Sequence, residues 1–232
     1  MITDKGLYAA EQDELPGNNL TPADSPAALR LLAHVFSYVF HPVFIPLYVM
    51  YFLVFVHPSY AAGFDIRIKM QMMMIVALNA VFFPLFSVLL LKGLGFVQSI
   101  MLRTQKDRII PYIASGIFFF WTWHVFRQQS QYHPIFASFF FGVLLTSSAA
   151  LLANIYFKIS MHAMGAGGAV GLFLVIMTYN SMLMTWPLSL ALLIAGIVCT
   201  SRLILNGHTP KDIYLGFLAG VFCQLAAAYI ML

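Results

Sequence analysis

The chain has 232 residues, 61% of them hydrophobic and 9% charged, with a mean hydropathy of +0.87. A soluble domain usually carries about 25% charged residues, so the composition argues against a water-soluble fold and predicts an all-α, multi-pass transmembrane helical bundle. The formal charge of +4 is modest and scattered through loops. That distribution speaks against a nucleic-acid partner and leaves membrane lipids, or an anionic substrate among them, as the expected partner.

At roughly 20 apolar residues per crossing, this length accommodates six to seven spanning helices with short loops, so residues 28–232 are expected to form one transmembrane domain. The polar tail over residues 1–27 contains Asp4, Glu11, Asp13, Glu14 and Asp24 and lacks the basic start and apolar centre of a cleavable signal. Apolar stretches at 29–56, 70–91, 109–126, 135–157, 161–180, 182–200 and 212–231 each read as a spanning helix. Asn180 and Ser181 join the fifth and sixth so tightly that these form a helical hairpin or one is partly re-entrant. Pro42, Pro46 and Pro84 predict kinks. The pairs Gly167/Gly171 and Gly216/Gly220 have the four-residue spacing that lets helices approach closely. Cys199 and Cys223 lie in apolar runs and read as packing residues, not as a disulfide or metal cluster.

Ionisable residues in so apolar a chain need a partner, a wet cavity or a function. His208 and Asp212 stand one helical turn apart where the sixth stretch gives way to the seventh, and Thr209-Pro210 is a helix-start signal. A carboxylate at that spacing can take an imidazole's ring proton and free the other nitrogen to attack an electrophile. Arg202, six residues before His208, has the planar fork that suits phosphate oxygens. A loop histidine capping a helix is the plainer alternative.

Two further clusters point the same way. Lys158-Ile-Ser160-Met-His162 opens the fifth stretch, where free backbone amides favour an anion. Arg103-Thr-Gln-Lys106-Asp107-Arg108 precedes the third stretch; taken alone it reads more readily as a basic membrane-surface loop. Two crossings separate each cluster from the next, so an even count returns all three to one face. The loops near Asp65–Lys69 and Arg127–His133 fall on the other. His34, His41 and His124 lie in apolar spans and read as packing residues, although His41 has the option of facing a headgroup channel.

These residues resemble the type 2 phosphatidic acid phosphatase superfamily of membrane lipid phosphatases. Its Ser-Arg-x5-His-x3-Asp motif is matched by Ser201, Arg202, His208 and Asp212. Its Pro-Ser-Gly-His motif is matched at Ser160 and His162, with Ile159 and Met161 replacing proline and glycine. Its Lys-x6-Arg-Pro motif is matched at Arg108, with Pro111 displaced by two residues and Met101 at the lysine position, for which Lys106 or Arg103 stands in. The resemblance spans residues 103 to 212.

The resemblance implies that His208 attacks phosphorus, Asp212 orients it and His162 protonates the leaving oxygen. Ser160, Arg202 and Arg108, with Lys106 or Arg103, would hold the phosphate oxygens, with no metal and no cofactor. Such a division suits phosphoryl transfer, which needs donors around the equatorial oxygens and an in-line nucleophile. Phosphatidate, phosphatidylglycerophosphate, undecaprenyl diphosphate and lipid A are the expected substrate types. A phosphotransferase that passes the phosphate to another alcohol, and a non-catalytic lipid binder or transporter, are the alternatives. In the seven-span reading nine Lys and Arg fall on the motif face and three opposite, but five of the nine belong to the clusters. The family's habit therefore sets the expectation: a bacterial inner membrane, with the site on the extracytoplasmic face.

Overall fold

The computed structural model describes residues 25–102, 104–179 and 184–232. Arg103, the Asn180–Ser181 connection and residues 1–24 of the polar tail lie outside the described residues. Within them the chain forms eight helices and no strand. Six are long and apolar enough to cross a membrane: α3 (Ile66–Gly93), α4 (Gln105–Gln128), α5 (Pro134–Tyr156), α6 (Met161–Tyr179), α7 (Thr185–Ile204) and α8 (Pro210–Met231). Two shorter apolar helices precede them, α1 (Ala27–Val39) and α2 (Ile45–Val56).

The first apolar stretch, expected as one span over 29–56, is therefore two helices. Phe40–Phe44 breaks it, with Pro42 inside the turn, and Pro46 lies in the first turn of α2, where its missing amide removes no helical bond. A hydropathy window long enough to find a span averages across so short a turn and does not register the break. Pro84 is accommodated differently. The backbone widens to a π-helical turn over Ala77–Phe82 just before it, so α3 continues past the proline.

Side chains fix several helix starts. Asp65 accepts from the Arg67 and Ile68 amides at 2.7 and 3.0 Å; Thr104 accepts from Asp107 at 3.1 Å; and His133 accepts from Ile135 ahead of Pro134. At α8, Thr209 and Asp212 form a reciprocal capping box around Pro210.

α6 and α8 form the most intimate pair. A Cβ at Gly167 would overlap the Phe217 carbonyl, and one at Gly220 would overlap the Met164 carbonyl; at Gly171 and Gly216 it would come within 2.9 Å of Val221 and Ser160 carbonyls. The helices run parallel, Ser160 lying opposite Gly216 and Gly171 opposite Val221, so both amino termini emerge at one end of the bundle. Between them and α5, Gln224 is buried and donates to the Phe139 carbonyl at 3.2 Å, its amide filling the space left open by Gly142. The core is mainly aromatic and aliphatic, with Phe136, Phe139 and Phe140 fully enclosed and Thr122 and Ser138 buried as well.

Candidate functional site

Three loops meet at the end of the bundle where α6 and α8 begin. The Arg108 guanidinium, 6% exposed, donates from Nε to the Leu102 carbonyl at 3.0 Å and from Nη1 to the Ile159 carbonyl at 3.1 Å, tying the start of α4 to the α5–α6 loop. Leu102 holds φ of 48°, a left-handed conformation that costs a side-chain-bearing residue about 1 kcal/mol or more. The Ser160 amide donates to the Asp212 carbonyl at 3.4 Å, joining that loop to α8. The opposite loops gather at the other end, where Tyr60 lies against His57 and His133 and Phe64 against Tyr132.

His208 Nδ1 lies 3.0 Å from the Lys158 carbonyl. A carbonyl only accepts, so this nitrogen carries the proton and Nε2 keeps its lone pair. Asp212 Oδ2 is 3.9 Å from Nδ1, beyond hydrogen-bond range, because that oxygen accepts instead from the Thr209 amide at 3.0 Å. The carboxylate thus acts on the ring as a nearby charge, while the Lys158 main chain orients it. The His208 side chain is 4% exposed. Burial, then the charges of Arg108 and Arg202, depress its pKa to about 4, so the imidazole is neutral at ordinary pH.

His162, in the first turn of α6, is held from another direction. Its Nε2 lies 3.1 Å from the Ser37 carbonyl of α1 and so donates to it, leaving Nδ1 as the free nitrogen. His41, on the α1–α2 turn, sets its ring edge-on to His162, centroids 5.2 Å apart at 84°. Both His208 and Arg202 are within electrostatic reach of His162. Each of the two imidazoles therefore has one nitrogen tied to a main-chain carbonyl and one unengaged.

The remaining groups are mostly cationic. Arg202 closes α7; its Nη2 fills the space beside Gly207 that a Cβ would need, and its buried Nε has no acceptor. Asn206, at φ of 47°, makes the left-handed turn that brings the chain from α7 back over it. Lys158 feels Arg108, Arg202 and Asp212; burial and the two arginines hold its ammonium below the ordinary lysine pKa. Lys158, Gly207, His208, Thr209 and Asp212 line an open pocket of about 420 Å³. Ser160 is fully buried; its hydroxyl accepts from the Ala163 amide at 3.4 Å and caps α6.

Of the residues proposed from sequence, His208, Asp212, His162, Ser160, Arg202 and Arg108 are brought to this one end, and Arg103 lies outside the described residues. Lys106 is not brought in: it is exposed beside the buried Asp107, and none of the site's polar contacts involves it. Lys158, expected in its cluster but without a role of its own, and His41, expected as a packing residue with the option of facing a headgroup channel, also lie at this end. Among the described residues, no three His, Cys, Asp or Glu side chains cluster as metal ligands. Comparison with known proteins finds no family model, curated relative or solved structure that matches this chain.

Proposed function

We propose that the chain is an integral membrane lipid phosphate or diphosphate phosphatase working through a phosphohistidine at His208. One observation carries the reading. Arg108 and Arg202 act on both Lys158 and the neutral His208 imidazole, Asp212 is their carboxylate neighbour, His162 lies within electrostatic reach of His208 and Arg202, and a buried Arg202 donor lacks an acceptor. Uncompensated buried charge is costly, and the amino termini of α6 and α8 add positive potential at the same place. A phosphate at a membrane boundary answers both.

In this scheme His208 Nε2 attacks phosphorus in line, forming the N–P bond as the ester P–O bond breaks. Nδ1–H stays on the Lys158 carbonyl, and Asp212 stabilises the positive ring. Arg202, Lys158, Arg108 and the Ser160 O–H hold the equatorial oxygens; Lys158 supplies the cation that position 101 lacks. A proton entering with a phosphate monoanion passes through His162 Nδ1 to the leaving oxygen. His162 then takes a proton from water, which attacks phosphorus, breaks the N–P bond and releases orthophosphate; the proton leaves with the orthophosphate and His162 is returned to its starting form. We place the site at the extracytoplasmic face of a bacterial inner membrane, following the motif resemblance.

The test is phosphate release by purified protein from a panel of lipid phosphates and diphosphates in chelator. His208→Ala is expected to abolish release and the acid-labile phosphoenzyme, His162→Ala to lower turnover by about 10²-fold or more, and Asp212→Asn to slow phosphoenzyme formation. Appearance of a new phosphorylated lipid instead of orthophosphate would make the chain a phosphotransferase. Activity untouched in His208→Ala would remove the enzyme reading altogether.

A further inference from the structure

The α1–α2 hairpin lies outside the residues that carry the motif resemblance, yet it supplies two contacts to the proposed acid/base. Ser37 O holds His162 Nε2 at 3.1 Å from one side, and the His41 ring meets the His162 ring edge-on at 5.2 Å from another. His41 is itself anchored: its Nδ1 accepts from the Val43 amide at 3.4 Å, across the turn that Pro42 bends. The turn is also wedged against α6, where Pro42 and Ile45 occupy the space beside Gly165.

An imidazole that serves as acid and then base must keep one nitrogen fixed while the other exchanges protons. The Ser37 carbonyl can hold Nε2–H only while the ring stays in plane with it, and a histidine one residue into a helix has a second rotamer available. A ring packed edge to face restricts that choice. We propose that His41 is a positioning residue of this site, its ring bracing His162 against the Ser37 carbonyl so that Nδ1 faces the leaving oxygen. This rests on the phosphatase reading and adds to it a working part for the amino-terminal hairpin.

The test separates the ring of His41 from its turn-forming nitrogen and uses leaving groups of different need. His41→Asn keeps a side-chain acceptor for the turn but removes the ring; His41→Phe keeps the ring and loses the acceptor. The substrates are a long-chain alkyl phosphate, whose alkoxide must be protonated, and a para-nitrophenyl phosphate bearing the same chain, whose phenolate leaves unaided. His41→Asn is expected to lose about 10- to 100-fold in kcat on the alkyl ester, and less than about threefold on the aryl ester. His41→Phe should stay within about threefold of the parent on both. Equal losses on the two esters, or no loss in His41→Asn, overturn the inference while leaving the phosphatase intact.

Nitrogen-15 histidine spectra in detergent give a reading that needs no turnover. The parent should show His162 as the single Nε2–H tautomer, His41→Phe should preserve it, and His41→Asn should show tautomer mixing. An unmixed tautomer in His41→Asn overturns the bracing role. Mixing in a protein whose parent hydrolyses neither ester would instead remove the phosphatase reading.

Discussion

At His208 two sequence signals compete for one carboxylate. The spacing to Asp212 suits a His–Asp pair, and Thr209-Pro210-x-Asp212 suits a capping box; the structure gives Asp212 Oδ2 to the Thr209 amide and leaves the ring 3.9 Å away. The orienting acceptor is the Lys158 main chain, which no residue pattern could have announced, since every residue has a carbonyl. The consequence is measurable. Burial, Arg108 and Arg202 lower the His208 pKa to about 4, so the protein keeps this imidazole neutral, as the proposed nucleophile must be, through pH 5.5, where an ordinary imidazole would be only about one-tenth neutral. After allowance for substrate ionisation, kcat/KM should hold to near pH 5 and fall toward pH 4; a fall centred near 6.5 would contradict the buried, neutral ring. The stability linkage has the same sign. The unfolded imidazole takes up a proton below about 6.5 and the folded one only near 4, so this contribution is complete above 6.5 and lost as pH falls between them. Thermal unfolding followed across that interval checks it.

Among the helices, the six long spans were legible within four residues at each end, Ile66 against 70, Gln105 against 109 and Ile204 against 200 marking the largest shifts. Twenty apolar residues leave a chain little choice in a bilayer. The Gly-x3-Gly spacings were legible as surfaces of close approach, but not as a pair, because sequence does not say which helix faces which. Their pairing sets the distance between the His162 and His208 loops. Gly220→Ala places a methyl against the Met164 carbonyl and Gly168 amide, backbone that cannot swing aside. It should cost about 1–3 kcal/mol in folding stability and lower activity as the two loops part. At Gly116 and Gly196 nothing lies within 4 Å of an added Cβ, so alanine there should be neutral, or stabilise by up to about 1 kcal/mol. Reversible unfolding in detergent, with phosphate release measured on the same variants, distinguishes packing at α6–α8 from a general intolerance of side chains.

Across the whole molecule, polar chemistry is sorted to two ends, and the catalytic candidates collect where four of the six long helices begin or finish: α4 and α8 at their starts through Arg108 and Asp212, α7 at its end through Arg202, α6 at its start through His162. The α1–α2 turn joins them through Ser37 and His41. Sequence parity foresaw the shared face for the three motif clusters but not the hairpin, since a turn hidden in an apolar run changes the crossing count silently. A ligand held by all these elements bridges separate parts of the bundle, and binding to the folded state alone raises stability in proportion to RT ln(1 + [L]/Kd), about 2.7 kcal/mol at a hundredfold excess over Kd. Orthovanadate, which adopts the five-coordinate geometry of phosphoryl transfer, should therefore raise the melting temperature of the parent protein in a dose-dependent way. Arg202→Met, which removes the buried Nε that has no acceptor, should blunt the shift, while Arg127→Met, at the exposed far end of α4, should keep it. A vanadate response unchanged by loss of Arg202 would place the anion elsewhere and detach the cation cluster from the chemistry assigned to it.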